Sequence, residues 1–154
     1  MTAQQDVIVI VEDNPDDQLL LARAFRKADV RTPLRYADDG EKAIEVLGQM
    51  ADQSAEIRPA VVLLDLKLPR RSGLEVLAWI KSHAALRRVP VIILTSSQEA
   101  ADLQAAYDIG ANSYLVKPAR PEDLFNMVQQ IDADWLRLNE PVGLAAESDP
   151  AGAA

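Results

Sequence analysis

Four stretches of the chain are apolar at nearly every position, and each ends abruptly in polar residues. They are residues 7–11 (VIVIV), 61–64 (VVLL), 91–95 (VIILT) and the shorter 113–116 (SYLV). Short apolar runs bounded by turn residues read as strands buried on both faces, the pattern of a parallel sheet. A weaker strand follows Pro33 at residues 34–37. Between these runs the apolar residues change to helical spacing: Leu20, Leu21, Ala24, Phe25 and Ala28, then Ala43, Ile44 and Leu47, then Leu74, Leu77 and Ile80. Asn14 and Pro15 suit the N-cap and first position of the first helix, with Asp16 and Asp17 favourable to its dipole. Asp38 is expected to cap a second helix through Gly48, and residues 49–59 read as a helix end and surface loop. A third helix is expected from about Gly73 to His83. Ser96 or Ser97 is expected to cap a fourth, near residues 98–109, which Gly110 stops. Pro121 opens the last, predicted to run past Trp135 to about Leu138. Strand and helix thus alternate five times. The expected fold is α/β, a flavodoxin-like doubly wound parallel sheet in the order 2-1-3-4-5 with helices on both faces. One domain over residues 1–138 and a mobile tail over 139–154, rich in Ala, Pro and Gly, complete the expectation.

In open parallel sheets, ligands bind beyond the carboxyl ends of the strands. The first strand delivers Glu12 and Asp13 there, the third Asp65, the fourth Thr95 and the fifth Lys117. Three carboxylates in one place repel one another unless a cation sits among them. Oxygen ligands without thiols or clustered imidazoles select a hard ion such as Mg²⁺. The Thr95 hydroxyl and the Lys117 ammonium suit a phosphoryl group. A carboxylate so flanked can be the nucleophile of phosphoryl transfer, forming an aspartyl-phosphate. Each residue alone has a plainer explanation: Asp13 a turn residue before Pro15, Asp65 a loop acid, Thr95 a strand end, Lys117 a solvated charge. The conjunction of four strands ending in complementary groups favours the chemical one.

Composition narrows the field. A net charge of −8 argues against a DNA-binding surface. The chain has no cysteine and one histidine, His83, so thiolate chemistry and a multi-histidine metal site are excluded. No apolar run approaches a membrane span and no leader opens the chain, so a cytoplasmic protein is expected. His83 lies among Lys81, Arg87 and Arg88 and reads as a solvated or capping residue, which leaves the phosphoryl donor to another protein. Arg70 and Arg71, beside Asp65, read as steering an acidic partner or phosphate, or as merely solvated.

The segments VEDN (11–14), DLKLPRRSG (65–73), ILTSS (93–97) and YLVKP (114–118) together resemble the receiver domain of two-component response regulators. The resemblance implies Asp65 as phosphoacceptor and Mg²⁺ held by Glu12, Asp13, Asp65 and the backbone carbonyl of Lys67. It implies that Thr95 and Lys117 bind the phosphoryl oxygens and that Lys117 and Pro118 are joined by a cis peptide. Tyr114 matches the family's switch aromatic, drawn inward when Thr95 moves toward the phosphoryl group. The donor would be a sensor histidine kinase. The long 48–59 connection, the PEDLFNMV run (121–128) and Asp-Trp-Leu at 134–136 further resemble single-domain regulators paired with phytochrome kinases, including bacteriophytochromes. The sequence departs from the pattern two residues beyond Asp65 and Thr95, where Lys67 and Ser97 flank the path of the hydrolytic water. The stretch after Lys117 has room for one helix and a tail, so no attached output domain is expected. On the last helix Leu124, Val128, Ile131, Trp135 and Leu138 recur in a coiled-coil-like seam, which predicts a homodimer through that helix and neighbouring surface. The alternative is an Mg²⁺-dependent phosphatase of the haloacid-dehalogenase type. It needs a second acid where Lys67 stands and a cap domain. A flavin carrier needs a phosphate loop where EDNPDD stands.

Overall fold

The computed structural model describes residues 5–52 and 55–136. The predicted tail over 139–154, and Leu138 with it, lie outside the described residues. Five parallel strands, β1 (Gln5–Val11), β2 (Leu34–Ala37), β3 (Ile57–Leu64), β4 (Val91–Thr95) and β5 (Ser113–Val116), form one sheet in the order β2-β1-β3-β4-β5. The connecting helices are α1 (Pro15–Lys27), α2 (Gly40–Met50), α3 (Gly73–Ser82) and α4 (Ala100–Ile109). After β5 the chain forms α5 (Pro121–Ile131), which runs on into a π-helical turn, Asp132–Leu136.

The continuous apolar runs are explained by the two layers they serve. Val7, Val9, Val11, Val62, Leu64, Val91 and Ile93 point to one face and pack with Ala43, Val46 and Leu47 of α2 and Val76, Leu77 and Ile80 of α3. The alternate residues Ile8, Ile10, Val61, Leu63, Ile92 and Leu94 point to the other, against Leu21 and Phe25 of α1 and Leu124, Val128 and Ile131 of α5. Side chains alternate across a strand, so only a strand covered on both faces is apolar throughout. Burying each Val, Leu or Ile fully contributes about 1.5–3 kcal/mol before entropy is counted. The helix on the fourth connection is the least buried: in α4 only Ala106 is buried, whereas the other four helices each bury three or more residues. Like α5, it begins without a side-chain capping bond.

Local differences from the sequence reading have local causes. Asp39, not Asp38, caps α2: its Oδ1 accepts from the Lys42 amide at 2.7 Å. The third strand begins at Ile57 rather than Val61. Pro59, which lacks an N–H, sits where the β1–β3 register shifts. Ser72 caps α3 in a reciprocal box with Glu75. Neither Ser96 nor Ser97 is the N-cap of α4; the Ser97 hydroxyl instead donates to Asp102 Oδ2 at 2.5 Å. The seam on the last helix is interrupted by the π-helical turn, and Trp135 and Leu136 pack against the α1–α5 core. His83 ends α3, its Nδ1 accepting from the Ala85 amide at 3.2 Å. Among the described residues no helix is long and apolar enough to cross a membrane.

Candidate functional site

The sheet ladder extends one step beyond the strands and sets the site. The Asp65 amide donates to the Val11 carbonyl at 3.1 Å and the Lys117 amide to the Thr95 carbonyl at 2.8 Å. Adjacent strands therefore hold Asp65 next to Glu12, and Lys117 next to Thr95. Glu12, Asp65 and Thr95 are buried, while Asp13 is exposed. Asp65 uses both carboxylate oxygens. Oδ1 accepts from the Thr95 hydroxyl at 2.8 Å and from the Lys67 amide at 3.2 Å. Oδ2 accepts from the Lys117 ammonium at 2.9 Å.

Lys117 binds three carboxylates at once. Its Nζ lies 2.5 Å from Glu12 Oε1, 3.0 Å from Asp17 Oδ2 and 2.9 Å from Asp65 Oδ2. Burial alone would push the ammonium below its ordinary pKa, but hydrogen bonds to Glu12, Asp65 and Asp17 together outweigh it and raise it. Burial raises the Glu12 carboxyl above the usual carboxylate range, against the pull of Lys117 and of the Asn14 amide on Oε2 at 3.0 Å. The Gln18 side chain holds the Glu12 carbonyl at 2.7 Å.

The donor set fits a divalent cation. Glu12, Asp13 and Asp65 each present an oxygen within 4.8 Å of the others. Counting Asp17, four acids share this edge with the Lys117 ammonium, which binds three of them, so the edge keeps an excess of negative charge. The ligands are all hard oxygens.

A chain of hydrogen bonds leads away from Asp65. Thr95 Oγ1 accepts from the Ser97 amide at 3.4 Å, and the Ser97 carbonyl accepts from the Tyr114 hydroxyl at 3.1 Å. Tyr114 is half-buried, and its hydroxyl is hydrogen-bonded within the protein. The Lys117–Pro118 peptide is trans, since no peptide bond among the described residues is cis. This corrects the cis expectation. An X–Pro bond prefers trans by about 0.5–1 kcal/mol, and the Lys117 ammonium reaches its three acceptors from the trans backbone.

The loop after β3 is closed by two glycines. A Cβ on Gly73 would overlap the Asp65 carbonyl, and one on Gly40 would overlap the Arg71 carbonyl. Arg70 sits at φ 72° and pairs with Asp39 at 3.2 Å, so it is bound to the start of α2. Sequence reasoning places Gly73 only at the start of the third helix and passes over Gly40. It also takes Asp17 only as a helix-dipole partner. No local signal marks Asp17, because Asp16 beside it carries the same charge in the same first turn of α1.

Residues 8–129 match the response regulator receiver domain family. Response regulator Rcp1 of Synechocystis is 39% identical over 130 residues, spanning 84% of this chain and 88% of that protein. The probable methanogenesis regulatory protein FilR2 of Methanothrix harundinacea is 39% identical over 139 residues, spanning 90% and 89%. Among solved structures, the phosphorylated cyanobacterial phytochrome response regulator RcpA superposes with a TM-score of 0.78 at 37% identity, covering 88% of this chain and 96% of its own. The Mn²⁺-bound form of Rcp1 superposes with a TM-score of 0.75 at 39% identity, covering 84% and 94%. The parallel five-stranded sheet, the acids beside Lys117 and these similarities have one explanation: the chain belongs to the response regulator receiver domain family.

Proposed function

We propose that this protein is a phosphoacceptor signalling module, built as one receiver domain over residues 1–138, in which a sensor histidine kinase transfers a phosphoryl group to Asp65. The carrying observation is the environment of Asp65: a buried carboxylate held on one oxygen by Thr95 and on the other by Lys117, beside Glu12 and Asp13. Mg²⁺ would be held by Glu12, Asp13, Asp65 and the Lys67 carbonyl, and would supply positive charge that lets an anionic donor approach an anionic acceptor. Thr95 and Lys117 already point their donors at Asp65 and would pass them to the phosphoryl oxygens. Withdrawal of the Thr95 hydroxyl from its present place would loosen its bond with the Ser97 amide. Through the Ser97 carbonyl it would bias the half-buried Tyr114, the expected switch. The similarity to RcpA, a cyanobacterial phytochrome response regulator, favours a phytochrome-type kinase as donor, and the setting we propose for both partners is cytoplasmic.

The test is incubation with Mg²⁺ and acetyl phosphate or phosphoramidate, followed by intact-mass measurement. One added phosphoryl group is expected, and none in Asp65→Asn. Turnover of many phosphate esters without an adduct would favour the phosphatase alternative instead.

Homodimerisation is proposed on the surface next to the last helix rather than on its seam, because Trp135 packs on the protein's own core. Leu103 and Tyr107 of α4 and Val116 of β5 are exposed large apolar residues. Sedimentation at tens of micromolar is expected to show a dimer that Leu103→Glu weakens; a monomer at that concentration would refute the proposal.

A further inference from the structure

The ammonium of a lysine has three N–H donors, and at this site three carboxylates take them. Two of those, Glu12 and Asp65, are also in the acidic cluster, so the proposed chemistry makes other demands on their oxygens. Asp17 stands apart from that cluster. It lies in the first turn of α1, where its amide donates to Asn14 Oδ1 at 3.3 Å. Its side chain is one-third exposed, and its Oδ2 meets Lys117 at 3.0 Å. Lys117 reaches the site on a flexible four-carbon stem.

We propose that Asp17 is a positioning residue, which tethers the Lys117 ammonium to α1 and keeps it aimed at Asp65 while Glu12 and Asp65 engage other groups. The proposal rests on the phosphoacceptor reading. Without the tether the ammonium must be ordered anew for each transfer, and its contact with the incoming phosphoryl group weakens. The structure supplies its own control. Asp16 is in the same turn, carries the same charge and is exposed, and its amide bonds to the same Asn14 oxygen at 2.8 Å. The three acceptors of the Lys117 ammonium do not include it. A pure dipole or net-charge effect would make the two aspartates equivalent.

The experiment measures the initial rate of phosphoryl incorporation from acetyl phosphate and Mg²⁺ by intact mass, with thermal melts run in parallel to confirm folding. Asp17→Asn is expected to slow incorporation about five-fold, the scale of one charge-assisted hydrogen bond at a partly exposed position. Asp17→Glu should restore most of the rate, and Asp16→Asn should leave it unchanged. In a Lys117→Gln background, Asp17→Asn should have no further effect, because Asp17 acts through Lys117. Equal effects of Asp16→Asn and Asp17→Asn, or an undiminished effect without Lys117, would overturn the proposal. If the original sequence takes up no phosphoryl group, the phosphoacceptor reading fails first. The tether is then judged by ¹⁵N NMR of the Lys117 ammonium, whose hydrogen exchange Asp17→Asn must accelerate and Asp16→Asn must not; an unchanged rate in Asp17→Asn overturns the tether as well.

Discussion

Lys117→Met is expected to lower folding stability by about 3–5 kcal/mol in metal-free buffer at pH 8, as measured by urea unfolding. Methionine keeps the length of the stem, so the loss is one of charge and hydrogen bonding rather than packing. The Lys117 side chain is 18% exposed, and the Glu12 and Asp65 side chains that it neutralises are 3% and 7% exposed. Removing one partner of a buried ionic group leaves the other charges desolvated and repelling one another. The pH dependence has a definite sign. Lys117 has a raised pKa in the folded state, so its contribution is complete below its ordinary value of 10.5 and is constant between pH 5 and 8. Glu12 is also raised, from 4.5, so the fold favours its neutral form and gains from it as pH falls. Loss of Lys117 removes the strongest influence holding Glu12 down and lifts its pKa further. The deficit of the variant is therefore expected to shrink between pH 8 and pH 5. A deficit under about 1 kcal/mol at pH 8 would mean that the cluster is already screened by water, and a pH-independent deficit would contradict the role given to Glu12.

The second large effect is expected from Gly73→Ala. Gly73 opens α3, and its amide donates to the Leu66 carbonyl at 2.9 Å. A Cβ there would overlap the Asp65 carbonyl and lie 2.5 Å from the Leu66 Cα. Both are backbone atoms, so no rotamer change relieves the overlap; either α3 or the end of β3 must shift. Overpacking of this kind costs about 1–3 kcal/mol. The segment that must move carries the Asp65 carboxylate and the Lys67 amide bound to it. Phosphoryl incorporation should therefore fall even under conditions where the variant is fully folded. Gly48→Ala is the contrasting case. It lies inside α2, where an added Cβ would find its nearest neighbour, Trp79 Cη2, at 3.9 Å. That substitution is expected to stabilise by about 0.5–1 kcal/mol. Equal outcomes at the two glycines would show that the close approach at Gly73 has no consequence.

The sheet was legible because burial on both faces writes itself as unbroken apolar runs, as in VIVIV and VIILT. The edge residues were legible for a related reason: a strand that ends in a charge places that charge at a known height in the fold. Asp65, Glu12, Thr95 and Lys117 meet as expected. What escaped notice were contacts fixed by backbone proximity or by side-chain reach. Nothing local distinguishes Asp17 from Asp16, and only the Lys117 stem chooses between them. Gly40 looks like any helix start until Arg71 is brought against it. The packing of Trp135 was not legible because a π-helical turn interrupts the apolar repeat of the last helix and Trp135 lies against the core. The start of β3 was missed because polar and proline residues fill its first positions.

The uneven anchoring of the helices bears on how a local chemical event reaches the surface. Elements open independently with free energies set by what they bury. α4 buries one alanine and begins without a side-chain cap, while α3 buries four residues and begins with a reciprocal one. Moving α4 forfeits little apolar contact, and the few bonds that hold its start run through Ser97, which also touches Thr95. Of the five α-helices, the one that buries least is thus the one wired to the hydroxyl beside Asp65. A change worth a hydrogen bond or two can shift the population of that segment while the sheet beneath it stays intact.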